Sequence, residues 1–328
     1  MKKLIACIVA LSLAVFPFVA CSNSQAQSNE DTINVVCTYF PQYDWAKEII
    51  GETDTSVELN LLLDNGVDLH SFQPSAEDIA AISNCDLFIY VGGESDLWVE
   101  DVLKTSANED MIVINLMEAL GDSVKIEEIK EGMQSEEESD HSDAHEHEDS
   151  EYDEHIWLSL RNAEKLSQQI ADALSELDSE NSSSYQANCQ AYAEQLATLD
   201  GEYQDLVNQS AYNTLLFGDR FPFRYLVDDY NLDYYAAFAG CSSETAASFE
   251  TIVTLARILD EQNLKTVMVT ENSDEAIAKA IIQNSQNKNQ QIRALNSMQS
   301  VTASELASGT SYISLAESNL EVLKEALN

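Results

Sequence analysis

The sequence predicts an α/β protein of two lobes, each a mostly parallel sheet flanked by helices, joined by a long rigid linker helix. Three observations carry this. Short, near-continuous apolar runs alternate with helix-like stretches, as strands buried on both faces require. The alternation occurs in two separate arrays, which implies two α/β units. Between the arrays runs a long segment with apolar residues at spacings of three and four. With 328 residues and 45% hydrophobic content, the chain has material for two ordinary domains with real cores.

The chain opens with Met1-Lys2-Lys3, followed by Leu4 to Ala20 without a charge. A short basic start and an apolar run form an export signal, residues 1–20. The competing reading is a membrane-spanning anchor, for which about 20 apolar residues suffice. Small residues before a cysteine, Val19-Ala20-Cys21, favour the signal of a bacterial lipoprotein, whose cysteine takes the lipid and becomes the mature N-terminus. Residues 21–31 are polar and aperiodic, a flexible tether. The expected location is therefore extracytoplasmic, lipid-anchored to the cell membrane through Cys21.

In the N-terminal lobe, residues 32–180, strands are expected at Ile33–Tyr39, Val57–Leu63, Asp86–Val91 and Met111–Leu116, each rich in β-branched and aliphatic residues. Residues 131–155 stand apart: 12 of these 25 are acidic, four are His, and none is Lys or Arg. Without apolar periodicity, 131–154 is a surface loop before Ile156-Trp157-Leu158. A helical stripe follows through Ala163, Leu166, Ile170, Leu174 and Leu177. A second stripe, Tyr192, Leu196, Leu199, Tyr203 and Leu206, belongs to the linker helix, 181–209. The C-terminal lobe, 210–328, is expected to hold strands at Thr214–Phe217, Leu232–Phe238, Leu264–Thr270 and Gln291–Leu295.

Charge narrows the function. With 58 acidic and 16 basic residues the net charge is −42. Such a chain repels phosphate backbones, so nucleic acid is excluded as a partner. Cations are tolerated, though solubility alone accounts for an acidic surface. Cys37, Cys85, Cys189 and Cys241 remain after the signal and Cys21. They form no CxxC pair, so they are read chiefly as buried thiols, and sequence does not choose among possible pairings.

Histidine carries the chemistry. Of five His, His141, His145 and His147 sit among carboxylates, a mixture that binds divalent transition metals; an inert solvated loop is the alternative. His155 stands at the structured edge of that loop, and His70, in Gly66–Ser75, follows a strand and precedes a helix. Loops at the carboxyl ends of parallel strands form the ligand crevice of such sheets. Together the two look like zinc ligands.

Four segments resemble the zinc- and manganese-binding solute-binding lipoproteins of ABC transporters: Tyr39-Phe40-Pro41 with Tyr43, the His70 segment, Asp86 to Glu94, and Asp153-Glu154-His155-Ile156-Trp157. The likeness runs from about Ile33 to the C-terminus. It implies two α/β lobes with metal in the cleft between them. It also implies delivery of Zn2+, with Mn2+ as the alternative, to a membrane permease driven by a cytoplasmic ATPase. An acidic His-rich loop is similar to that of the zinc-selective members. The second lobe departs from the pattern: the family's third ligand matches Gly218, beside Asp219, and its fourth matches Asn296. Asp219 is the first candidate to complete the sphere. Asn296 could offer an amide oxygen. Glu244 and Cys241 follow another strand, although Glu244 also suits a helix start and Cys241 a buried thiol. A zinc hydrolase would need an open position and a general base. Glu154 is the only group that suggests one, and no HExxH occurs. The expectation is therefore a non-enzymatic importer component, with a surface-adhesin role as a secondary possibility.

Overall fold

The computed structural model describes residues 32–66, 69–134, 152–242 and 246–328. The signal, the tether, Cys21, the loop histidines His141, His145 and His147, and Glu244 lie outside the described residues.

The first half runs β1 (Thr32–Cys37), α1 (Phe40–Ile50), β2 (Ser56–Leu61), α2 (Ala76–Asn84), β3 (Leu87–Tyr90), α3 (Val99–Leu103), β4 (Ile112–Asn115) and α4 (Leu116–Leu120). Two long helices follow, α5 (Leu160–Leu177) and α6 (Ser182–Gln209). The second half runs β5 (Thr214–Phe221), α7 (Arg224–Asp229), β6 (Asp233–Ala239), α8 (Phe249–Glu261), β7 (Thr266–Thr270), α9 (Ala276–Asn284), β8 (Gln291–Leu295), α10 (Ala303–Ala307) and α11 (Tyr312–Ala326). Every strand expected from the apolar runs is present, with ends shifted by a few residues. The largest shift is at β5, which continues four residues past Phe217.

Local chemistry starts the helices. Ser75 and Asp78 form a reciprocal capping box on α2, and Thr302 and Glu305 do the same on α10. Ser159 caps α5 by accepting from Asn162 N, and Ser248 caps α8 by accepting from Thr251 N. Pro41 sits in the first turn of α1, where its missing N–H has no intrahelical partner to lose.

Both sheets are wholly parallel and wound alike: β2-β1-β3-β4 and β6-β5-β7-β8. In each, strand order reverses beside the central first strand, which opens a crevice at the carboxyl ends. One hydrophobic core runs through both sheets. It includes Val35 and Leu87 from the first, Phe217 and Met268 from the second, and Trp45, Trp157, Tyr203 and Tyr312 between elements. Residues Thr32–Asn328 accordingly form one compact unit.

Polar contacts also cross between the halves. Asp44 Oδ2 accepts from Tyr312 N (2.7 Å), tying α1 to α11. Asp64 O accepts from Ala303 N (2.7 Å), and Asn65 bridges Thr302. The described ends of the acidic loop are held too. Gln134 N donates to Ala237 O (2.9 Å), Glu131 pairs with Arg257, and Tyr152 bridges Ile126. Cys37, Cys85, Cys189 and Cys241 are all free thiols, the first three buried.

Candidate metal centre

His70 lies in a 3₁₀ turn, Leu69–Ser71, between β2 and α2. His155 precedes another, Ile156–Leu158, and is wholly buried. The fold brings their rings to 5.5 Å between centroids, although 85 residues separate them in sequence. Each Nδ1 is engaged by a neighbour that fixes the ring. His70 Nδ1 lies 2.8 Å from Ser95 Oγ and 3.8 Å from Glu154 Oε2. His155 Nδ1 lies 2.9 Å from Asp153 Oδ1, which also accepts from His155 N. Holding Nδ1 beside a carboxylate is the arrangement that orients imidazole ligands in metal centres.

A thiol completes the cluster. Donor atoms of His70, His155 and Cys241 all lie within 4.8 Å of one another. Cys241 follows β6, and its N–H donates to Glu127 Oε1 at 3.0 Å. The preceding residue must be glycine: a Cβ on Gly240 would stand 2.9 Å from Phe221 O and 3.1 Å from His155 Cε1. Gly93 clears space for Glu154 in the same way, since a Cβ there would meet Oε1 at 2.4 Å.

Acid surrounds these donor groups. Burial pushes the Glu154 and Glu127 carboxyls up. Asp96 is pushed up to about 7 by burial, with Glu154 adding to it, while Gly92 N, Tyr39 OH and Val91 N donate to it. Burial, then Asp153, Glu127 and Glu154, push the Cys241 thiol far up. A divalent cation reverses this logic, because its charge favours the deprotonated thiol and ionised carboxylates.

The second-lobe oxygens expected from the sequence are used otherwise. In β5 the register shifts between Phe217 and Arg220. Within that bulge Asp219 Oδ1 accepts from Arg220 N (2.8 Å), and Oδ2 accepts from Thr270 N (3.1 Å) and Oγ1 (3.0 Å). Asp219 therefore braces β5 against β7 and is not among the clustered donors. Position 218 faces α9: a Cβ on Gly218 would lie 2.6 Å from Ala278 Cα, so a side chain there would strike a helix. Asn296 Oδ1 accepts from Met298 N (2.7 Å) and shapes the turn after β8. Beside the cluster is a cavity of about 210 Å³ lined by Gly66, Arg220, Gly240, Glu271, Ser297 and Gln299. Gln299 there has a buried Oε1 without a hydrogen-bond partner among the described residues. Sequence reasoning missed Gln299, Glu271 and Ser95; none sits in a motif that sets it apart from ordinary polar residues.

Comparisons with known proteins identify the family and the fold. The family model described as "ZnuA: Zinc-uptake complex component A periplasmic" matches residues 35–326. The zinc-binding lipoprotein AdcA of Streptococcus pneumoniae (strain ATCC BAA-255 / R6) is 30% identical over 325 residues, 99% of this chain, which spans 61% of that relative's length. The high-affinity zinc uptake system protein ZnuA of Bacillus subtilis (strain 168) is 28% identical over 312 residues, covering 94% of this chain and 93% of its own. The crystal structure of the Zn(II)-bound ZnuA-like domain of Streptococcus pneumoniae AdcA superposes with a TM-score of 0.67 at 27% identity, over 90% of this chain and 99% of that one. A match that spans both sheets and everything between them leaves one conclusion: the chain belongs to the family of the periplasmic component A of zinc-uptake complexes.

Proposed function

We propose that the protein is the extracytoplasmic zinc-binding component of an ABC importer. It takes a zinc ion between its two lobes, residues 32–180 and 210–328 about the helix 181–209, and hands it to a membrane permease served by a cytoplasmic ATPase. The observation that carries this is the convergence of His70 and His155, each with Nδ1 already committed. The names of the zinc-binding relatives support the choice of ion. Glu154, the one group that suggested a hydrolase, is nearly fully buried and accepts from Ser95 N (2.9 Å), so it works as a support and not as a general base. The acidic loop with His141, His145 and His147 concentrates zinc near the cleft, and a lipid on Cys21 keeps the protein at the membrane.

Calorimetry of the full chain with zinc tests the core. His70→Ala and His155→Ala should each weaken binding at least tenfold, about 1.4 kcal/mol. Wild-type affinity in both variants would sink the assignment. Deleting 134–150 should leave the tight site and remove a weaker, salt-sensitive class; unchanged weak stoichiometry would make the loop an inert linker. Cys21→Ser should release the protein from the membrane fraction, and retention there would argue against the lipid.

A further inference from the structure

We infer that Cys241 binds the ion as a thiolate, so that the centre has two imidazole nitrogens and one sulfur. This rests on the zinc-binding reading above and names the second lobe's donor. Four independent features converge on the thiol. Its sulfur lies within 4.8 Å of the donor nitrogens of His70 and His155. The two sheets are wound alike, and β6 holds the place in the second that β2 holds in the first. His70 is presented after β2 and Cys241 after β6, so each lobe offers its ligand from the equivalent loop. Gly240 lets the backbone run directly against the His155 ring, which brings the next residue to the ion. The carboxylate best placed in sequence to compete, Asp219, is spent on Thr270 and Arg220.

The distances allow it. Zn–N of about 2.0–2.1 Å and Zn–S of about 2.3 Å put tetrahedral ligand atoms roughly 3.3–3.6 Å apart. Clustered atoms within 4.8 Å then close by about 1 Å or so, within the reach of side-chain torsions. On binding, the zinc–sulfur bond replaces the S–H bond and the proton leaves to solvent, with no change of oxidation state. A soft sulfur donor sets the choice of metal. It suits zinc and disfavours manganese, which prefers oxygen.

Cobalt(II) substitution of the full chain tests this. Wild type should give the visible bands of tetrahedral cobalt together with a near-ultraviolet sulfur-to-cobalt charge-transfer band. Cys241→Ser should lose the charge-transfer band, and its zinc affinity should fall at least tenfold while manganese(II) affinity changes less than about threefold. A second readout needs no variant: zinc should protect Cys241 of the wild type from iodoacetamide, scored by peptide mass. Visible bands without charge transfer, or alkylation of Cys241 indifferent to zinc, would overturn the thiolate and leave the two-histidine site standing. Absent visible bands, with zinc affinity unaffected by His155→Ala, would overturn both.

Discussion

Asp153, Glu154 and His155 are consecutive, yet their side chains serve two rings. Asp153 turns back to His155 Nδ1, while Glu154 reaches across to Ser95 and His70. Each imidazole thus has a buried carboxylate behind it. Removing one charge without removing volume isolates that role. Asp153→Asn should lower zinc affinity by about 10- to 100-fold, the usual effect of losing a ligand's outer partner. A competition titration with a chelating dye reads it, and affinity within threefold of wild type would mean that Asp153 does not orient the ring. Both histidines stand out in the sequence because each sits at the edge of a loop in a chain with few His, although the loop before His155 runs from helix α4 and not, as the sequence suggests, from a strand. Cys241 is a weaker candidate in the sequence, because a thiol after an apolar strand also reads as core. What sets it apart is visible only in space: its sulfur lies near both rings, and Gly240 runs against His155.

Strand β5 illustrates what a pattern of apolar residues can and cannot carry. Thr214–Phe217 was legible as a buried run, like the other strands. The continuation was not, because Gly218, Asp219 and Arg220 interrupt the apolar run at the point where the register shifts. Position 218, which matches the family's third ligand but holds glycine, lies within this irregularity. Reinstating a histidine there should not add a donor. Gly218→His drives a side chain into Ala278 on α9, and overpacking of this kind destabilises by about 1–3 kcal/mol or more. The expected result is a lower melting temperature with no gain in zinc affinity. A tighter site in a protein of unchanged stability would show that β5 can re-register and present the ring to the cleft.

At the scale of the molecule, the halves share one core and a small number of buried polar ties. The tie between α1 and α11 carries a titratable group. Burial pushes the Asp44 carboxyl up to about 6, against the pull of Tyr312 N. Unfolded, the group ionises near 3.9. Between those values the unfolded chain has released its proton and the native one has not. Ionisation then favours unfolding, so stability falls as pH rises from about 4 to about 6 and stays lowered above. Asp44→Asn keeps an acceptor for Tyr312 N and removes the titration. The variant should match wild type at pH 4 and exceed it at pH 7 by something on the order of 1–3 kcal/mol. Urea melts at the two pH values measure this, and an equal difference at both would assign the effect to packing.

His155 belongs to the first half by sequence, but its segment is fastened to the second. Trp157 Nε1 donates to Ser297 O (2.9 Å), Tyr312 OH to Trp157 O (2.6 Å) and Tyr225 OH to Asp153 O (2.8 Å). The chain leading to His70 is fastened there too: Asp64 O accepts from Ala303 N (2.7 Å) and Asn65 bridges Thr302. Neither ring therefore rides on one half alone, and the spacing between them is set by how the halves dock. Metal–nitrogen bonds tolerate a few tenths of an ångström, so a substitution that loosens either set of ties would spoil the grip of the two rings on an ion without touching either histidine.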